Sequence, residues 1–268
     1  MTKKMNKLLI AKHSQSLENP YHFWVGYFLP IMNELRKDKS KENTYFVREC
    51  GPMTHWLEYL KLFYDIRILK PGILLREFAI GKDSILFDNW DDPNNFNNKD
   101  FMESILFVKS IFIKDSKIQN KKVALLNRNK PLSFYTSGQQ EISAYSSIKR
   151  EIKNIDDLFD KIKNKYLCEM VDTTKLSPAL AVKKYKEFNI LVGQKGAGLT
   201  NMLWMDKGST VIEIWTPDTL ISEKWDRCYE MLAQAIGMNY VKIYAQETWD
   251  GDVNIDLILD SIEKEKNK

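Results

Sequence analysis

The stretch ILVGQKGAGLTN, from Ile190 to Asn201, decides how the rest of the chain is read. Ile190, Leu191 and Val192 end a buried-strand pattern. Gly193-Gln-Lys-Gly-Ala-Gly198 then turns into the apolar run LTNMLWM, which has the character of a buried helix. The first N–H groups of a helix lack intrahelical partners and, with the macrodipole, attract phosphate. Gly196 and Gly198 permit positive φ and let a ligand approach the main chain. Lys195 adds a point charge, and Thr200 and Asn201 add side-chain hydrogen bonds. The segment Lys195, Gly196, Ala197, Gly198, Leu199, Thr200 and Asn201 is therefore the candidate phosphate site. It fits neither GxxxxGK[ST] nor GxGxxG, and a purely structural strand–turn–helix is the alternative reading of the glycines.

Working outward, strand and helix patterns alternate. KLLIA, TYFVREC (Thr44–Cys50), IRIL and ILFDN read as strands. YHFWVGYFLPIMNELRK reads as a buried helix ending near Asp38, and Met53–Asp65 as an amphipathic helix with Trp56, Tyr59, Leu60 and Phe63 on one face. Phe101–Phe112 is helical, and DNWDDPNNFNNKD before it is loop. A second series follows: strand KKVALLN, a helix from Asn154 as N-cap, strand LCEMVDT, and a helix with Ser177 as N-cap and Pro178 at its first position. Strands NILVGQ, TVIEIW and NYVKIYA, the helix EKWDRCYEMLAQAIG stopped by Gly237, and a terminal helix from Asn254 complete it. The expected fold class is α/β, with two Rossmann-like domains facing a central cleft, residues 1–117 and 118–268, joined within the polar stretch Lys114–Lys122. Ligands of such sheets bind at the carboxyl ends of the strands. Two residues there join the candidate site: Arg128, after VALLN, to grip a diphosphate, and Glu213, in VIEI, to accept hydrogen bonds from ribose hydroxyls. A surface arginine and an ordinary strand-end glutamate are the alternatives.

Composition narrows the function classes. Of 268 residues, 44% are hydrophobic and 28% charged, which supports a packed core and not wholesale disorder. The net charge of +4, from 40 basic and 36 acidic residues, is too balanced for a nucleic-acid-binding stripe, so no nucleic-acid partner is expected. Cys50, Cys168 and Cys228 form neither a disulfide framework nor a metal-ligand spacing. Neither a transmembrane segment nor a signal is expected, and a cytoplasmic or soluble protein is. Aromatics reach 12%; most should lie in the core, although carbohydrate sites also use their faces.

The order of these motifs resembles glycosyltransferase family 61, the group of plant xylosyl- and arabinosyltransferases, extracellular O-GlcNAc transferases and bacterial capsule enzymes. LVGQKGAGLTNMLWMDKGSTVIEIWTP (Leu191–Pro217) resembles its G-P-H-G-A-G-L-T-N signature with the following strand and glutamate. LLNR resembles its strand ending in arginine, and KREIKNIDDLF its R-x-x-x-N-x-x-x-L stretch through Arg150 and Asn154. CYEMLAQAIGMNYVKI resembles its closing helix and strand, so the likeness runs from Val123 to Ile243. NPYHFWVGYFLP (Asn19–Pro30) is similar to the family's aromatic, histidine-containing helix start. Lys195 and Gln194 stand where the family has histidine and proline.

The resemblance implies a GT-B architecture and inverting transfer from a UDP-sugar, xylose first and GlcNAc or arabinose next, to a glycan hydroxyl. It implies no essential metal or cofactor, the UDP-sugar being the donor substrate. Inversion needs one general base and a cationic or dipolar site for the departing diphosphate. All three histidines, His13, His22 and His55, lie in the N-terminal half. His22 is the first choice for the base, a satisfied core histidine being its alternative, and Asp91 and Asp92 are the carboxylate candidates. Asp250-Gly-Asp252 has the letters of a metal-binding Asp-x-Asp but lies in a turn past the last strand and is set aside. The competing reading from another class is a non-catalytic nucleotide- or glycan-binding module on the same fold. Oligomeric state is left open.

Overall fold

The computed structural model describes residues 5–11, 17–38, 42–70, 84–87, 90–113, 122–127, 151–172, 176–215, 226–248 and 250–267. They fall into two compact units, one running up to Ile111 and one from Phe112 onward. The expected linker, residues 114–121, lies outside the described residues, as do His13, Arg128 and Arg150.

The first unit is built on β1 (Asn6–Ile10), β2 (Thr44–Arg48), β3 (Asp65–Leu69) and β4 (Ser84–Leu86), ordered β3-β2-β1-β4 with every neighbouring pair parallel. After β1 the chain enters a continuous helical run: α1 (Pro20–Phe23), a π-helical turn (Trp24–Phe28) and α2 (Leu29–Lys37). Asn19 starts it by accepting from the Tyr21 N–H at 2.9 Å, with Pro20 in the first position, where a missing N–H costs nothing. Pro30 has no N–H for the Gly26 carbonyl and its ring would press on it, and the π turn across Gly26 absorbs that conflict. Aromatic burial holds the run in place: the Trp24 and Trp56 ring centroids lie 3.8 Å apart, with Phe28 against both. The helix expected over Met53–Asp65 is shorter, α3 (Thr54–Leu60). The chain turns at Lys61–Tyr64 to enter β3, which leaves Leu62 and Phe63 exposed and off the expected apolar face. In α4 (Lys99–Phe112), Phe101, Ile105, Val108 and Phe112 are buried at helical spacing.

The second unit has a parallel sheet ordered β10-β9-β8-β5-β7, made of β5 (Lys122–Leu126), β7 (Cys168–Val171), β8 (Phe188–Gln194), β9 (Thr210–Ile214) and β10 (Asn239–Ile243). Short β6 (Glu151–Ile152) and β11 (Asp250–Gly251) pair separately. On one sheet face, Val123, Leu125, Ile190, Val192, Ile212, Ile214 and Ile243 pack against Leu158 and Ile162 of α5 (Ile155–Lys165) and Ile258, Leu259 and Ile262 of the terminal helix. On the other lie α6 (Pro178–Lys186), a 3-10 helix (Ala197–Trp204) and α7 (Cys228–Ala235); the terminal helix, Ile255–Lys266, is α8. Counted within the unit, the strand order is 2-1-3-4-5. The chain therefore leaves β5 toward one edge and later fills the other, and the switch point lies between β5 and β8.

Two expected caps behave differently. Asn154 occupies the N-cap position of α5, but its amide makes no cap bond. Its Nδ2 donates to the Val253 carbonyl at 3.0 Å and its Oδ1 accepts from the Val253 N–H at 2.9 Å, so it pins the start of α5 to the chain entering α8. Asp156 and Asp157 in the first turn of α5 complement the dipole instead. Ser177 likewise sits at the N-cap of α6 without a side-chain cap bond, leaving Pro178 to set the helix start. Asn154→Asp, which would preserve a cap, should cost about 1–2 kcal/mol, like Asn154→Ala, because it cannot donate to Val253. Denaturant melts check this, and an Asp variant as stable as wild type would restore the capping role.

Candidate functional site

The glycine turn leaves β8 beside β5, at the switch point. Gly193 is closely packed: a Cβ there would stand 2.8 Å from Leu126 Cδ1 at the end of β5, and that side chain would have to shift. Gly196 has φ 155° and ψ 175°, a conformation essentially reserved to glycine. The helix that follows is 3-10 over eight residues, an unusual length for that geometry. Leu199 to Trp204 are all buried. Leu199 N–H donates to the Gly196 carbonyl at 2.9 Å. Asn201 Nδ2 donates to the Gly198 carbonyl at 2.9 Å and closes the turn. Thr200 is fully buried, and its Oγ1 has no hydrogen-bond partner among the described residues. Gln194, where the resembled pattern has proline, donates from Nε2 to Gln246 Oε1 at 2.7 Å, and Gln246 Nε2 donates to the carbonyls of Glu151 and Gly251. The amide thus ties the end of β8 to the small β6–β11 sheet.

Alternation along three adjacent strands places a row of side chains on the sheet face opposite α5 and α8. Gly193 pairs in register with Glu213, and Glu213 with Lys242; Lys195 and Trp215 follow two residues on, on the same face. Lys195 is buried. Its Nζ donates to the Asp226 carbonyl at 2.9 Å, lies 3.3 Å from Asp226 Oδ1, and stands 3.5 Å from the Trp215 ring centroid. Lys242 Nζ donates to both Asp226 oxygens, at 3.0 and 2.9 Å, and lies 4.1 Å from the same ring centroid. Glu213 is 0% exposed, and neither carboxyl oxygen has a hydrogen-bond partner among the described residues. It stands one residue before the end of β9, as the sequence suggests, but presents no oxygen at the surface.

Burial pushes the Glu213 carboxyl up to about 8, with Lys195 and Lys242 pulling against it. The same burial lowers Lys195, opposed by Glu213, Cys228 and Asp226. Asp226, although burial raises it, is held below the usual carboxylate range by Lys242 and Lys195. Trp215, Asp226 and Lys242 were not among the residues singled out from sequence. The signal that finds them is the strand register, which a single sequence does not display.

In the first unit the structure brings two of the alternative base candidates together. His22 Nδ1 lies 2.8 Å from Asp91 Oδ2. Asp91 is buried, Tyr21 Oη donates to its carbonyl at 3.0 Å, and its carboxyl group packs where a Cβ on Gly26 would stand, at 3.1 Å. His22 lies on the helix that follows β1 and Asp91 in the segment that follows β4. These two strands are neighbours flanking that sheet's own switch point. Asp92 is separate: its Oδ1 accepts from the Asn94 N–H at 3.1 Å and starts the 3-10 turn Pro93–Asn95. His55 Nδ1 bonds the Pro52 carbonyl, 2.6 Å away.

The Glu213 burial predicts a pH signature. Between its ordinary value of 4.5 and about 8, the folded chain keeps a proton that the unfolded chain has released. Stability then falls as pH rises through that window, by up to about 1.4 kcal/mol per unit. Glu213→Gln should flatten this slope in denaturant melts at about pH 5.5 and about pH 8; slopes equal to wild type would mean that Glu213 ionises freely.

Residues 21–212, well over half of the chain, match the model of the Glycosyltransferase 61 family. The match takes in His22, Asp91 and the whole glycine turn, and ends one residue before Glu213. No curated protein matches the chain. Two parallel α/β units, a glycine turn at a switch point and this match lead to one statement: the chain belongs to the glycosyltransferase 61 family, whose members transfer sugars.

Proposed function

We propose that the protein is an inverting glycosyltransferase that moves a sugar from a UDP-sugar to a glycan hydroxyl, with xylose favoured and GlcNAc or arabinose as the other donors. On this reading the chain is a GT-B enzyme whose domains are residues 1–117, serving the acceptor, and 118–268, serving the donor. The observation that carries it is the His22–Asp91 pair. A carboxylate accepts and does not donate, so Asp91 keeps the imidazole proton on Nδ1 and the lone pair on Nε2, the arrangement a general base needs. His22 then takes the acceptor's hydroxyl proton as that oxygen attacks the anomeric carbon. The bond from this carbon to the diphosphate breaks on the opposite side, and UDP departs with the electron pair.

The leaving diphosphate is received at the glycine turn, where Gly196 lets it approach the main chain and the start of the 3-10 helix supplies N–H groups. Lys195 takes the position of the family's histidine and brings a full positive charge. Arg128, outside the described residues, is proposed as a further diphosphate ligand.

The experiment combines a donor panel with variants and reads UDP release and transfer to a glycan acceptor. His22→Ala should lower transfer by roughly 10²-fold or more while leaving UDP affinity unchanged, and Asp91→Asn should lower it through loss of the tautomer. Lys195→Ala should instead weaken UDP binding. Full transfer by His22→Ala would remove the base assignment. Donor binding without turnover by wild type on every acceptor tried would favour a binding module.

A further inference from the structure

Lys242 and Asp226 have no part in the reading above, lie beyond residue 212, where the family match ends, and yet complete the charge pattern behind the glycine turn. Two ammonium groups, Lys195 and Lys242, share one carboxylate, Asp226, and approach the same indole ring, Trp215. Like charges gathered on a shared counter-ion raise each other's energy, the more so where water is excluded. The nearby Glu213 does little to relieve them: its buried oxygens make no hydrogen bond among the described residues, and its burial favours the protonated form. The row therefore carries two ammonium groups on one shared carboxylate. It lies at the carboxyl ends of β8, β9 and β10, where doubly wound sheets take their ligands. The Lys195 side chain is 5% exposed and that of Lys242 is 22%, so Lys242 is the ammonium that solvent reaches.

We propose that Lys242 is a second diphosphate-binding cation of the donor site, and that Asp226 is the internal counter-ion which the diphosphate of a nucleoside diphosphate displaces from Lys195 and Lys242. This rests on the donor-site reading of the glycine turn. Asp226 keeps the two lysines charged and oriented before the nucleotide binds, and the diphosphate, with two or more negative charges, replaces it as their partner. A nucleoside monophosphate gains less from the same pair, so the row discriminates by charge.

Calorimetric titration of the full chain with uridine and guanosine diphosphates, and with the corresponding monophosphates, tests this at two salt concentrations. Lys242→Met should weaken the tighter diphosphate by about 10-fold or more, shrink the preference for diphosphate over monophosphate, and reduce the salt dependence. Lys242→Arg should restore the preference, and Asp226→Asn should tighten the diphosphate by removing its competitor. A Lys242→Met protein with wild-type diphosphate affinity would overturn the proposal, as would equal losses for diphosphate and monophosphate. Weaker diphosphate binding by Asp226→Asn would overturn the counter-ion role. Failure of the wild type to bind any of these nucleotides would remove the donor-site reading itself, a result distinct from an unaffected Lys242 variant.

Discussion

A parallel sheet sends the carboxyl ends of all its strands to one edge, and alternation sends every second side chain to one face. Those two constraints place Lys195, Glu213, Trp215 and Lys242 in a single row although they come from three strands separated by two crossovers. The row exists because Ile190, Val192, Ile212, Ile214 and Ile243 commit the opposite face to α5 and α8. A one-residue slip in β9 would bury Trp215 among the isoleucines and expose them in its place. The apolar layer thus fixes the register on which the polar layer depends.

The same logic operates in the first unit, where neighbouring β1 and β4 deliver His22 and Asp91 to one place. Gly26 contributes by absence: the space its side chain would fill is taken by the Asp91 carboxyl group. The π turn around it, set by Pro30, is part of how that glycine is presented. A helix distortion and a missing methyl group therefore position a histidine–carboxylate pair whose members lie 69 residues apart.

The parts legible in the sequence were those governed by local rules. The strand and glycine turn over Ile190–Asn201, the proline start of α6 and the period of α4 follow from hydrophobic spacing and backbone preference. What escaped was set by partners distant in sequence. Asn154 was read as a cap because caps favour asparagine, but its amide is claimed by Val253, 99 residues on. His22 and Asp91 stand as rival bases in the sequence because their contact depends on strand order. Lys242 was one lysine among many until the register of β9 and β10 set it beside Trp215.

The central claim is that the turn at the end of β8 receives the donor's diphosphate. Amide hydrogen exchange, read peptide by peptide with and without saturating UDP, tests it without relying on any variant or acceptor. The account predicts that UDP slows exchange in peptides spanning residues 193–205, because N–H groups at the start of the 3-10 helix acquire a phosphate partner. Unchanged exchange there, with protection arising only elsewhere in the chain, would contradict it.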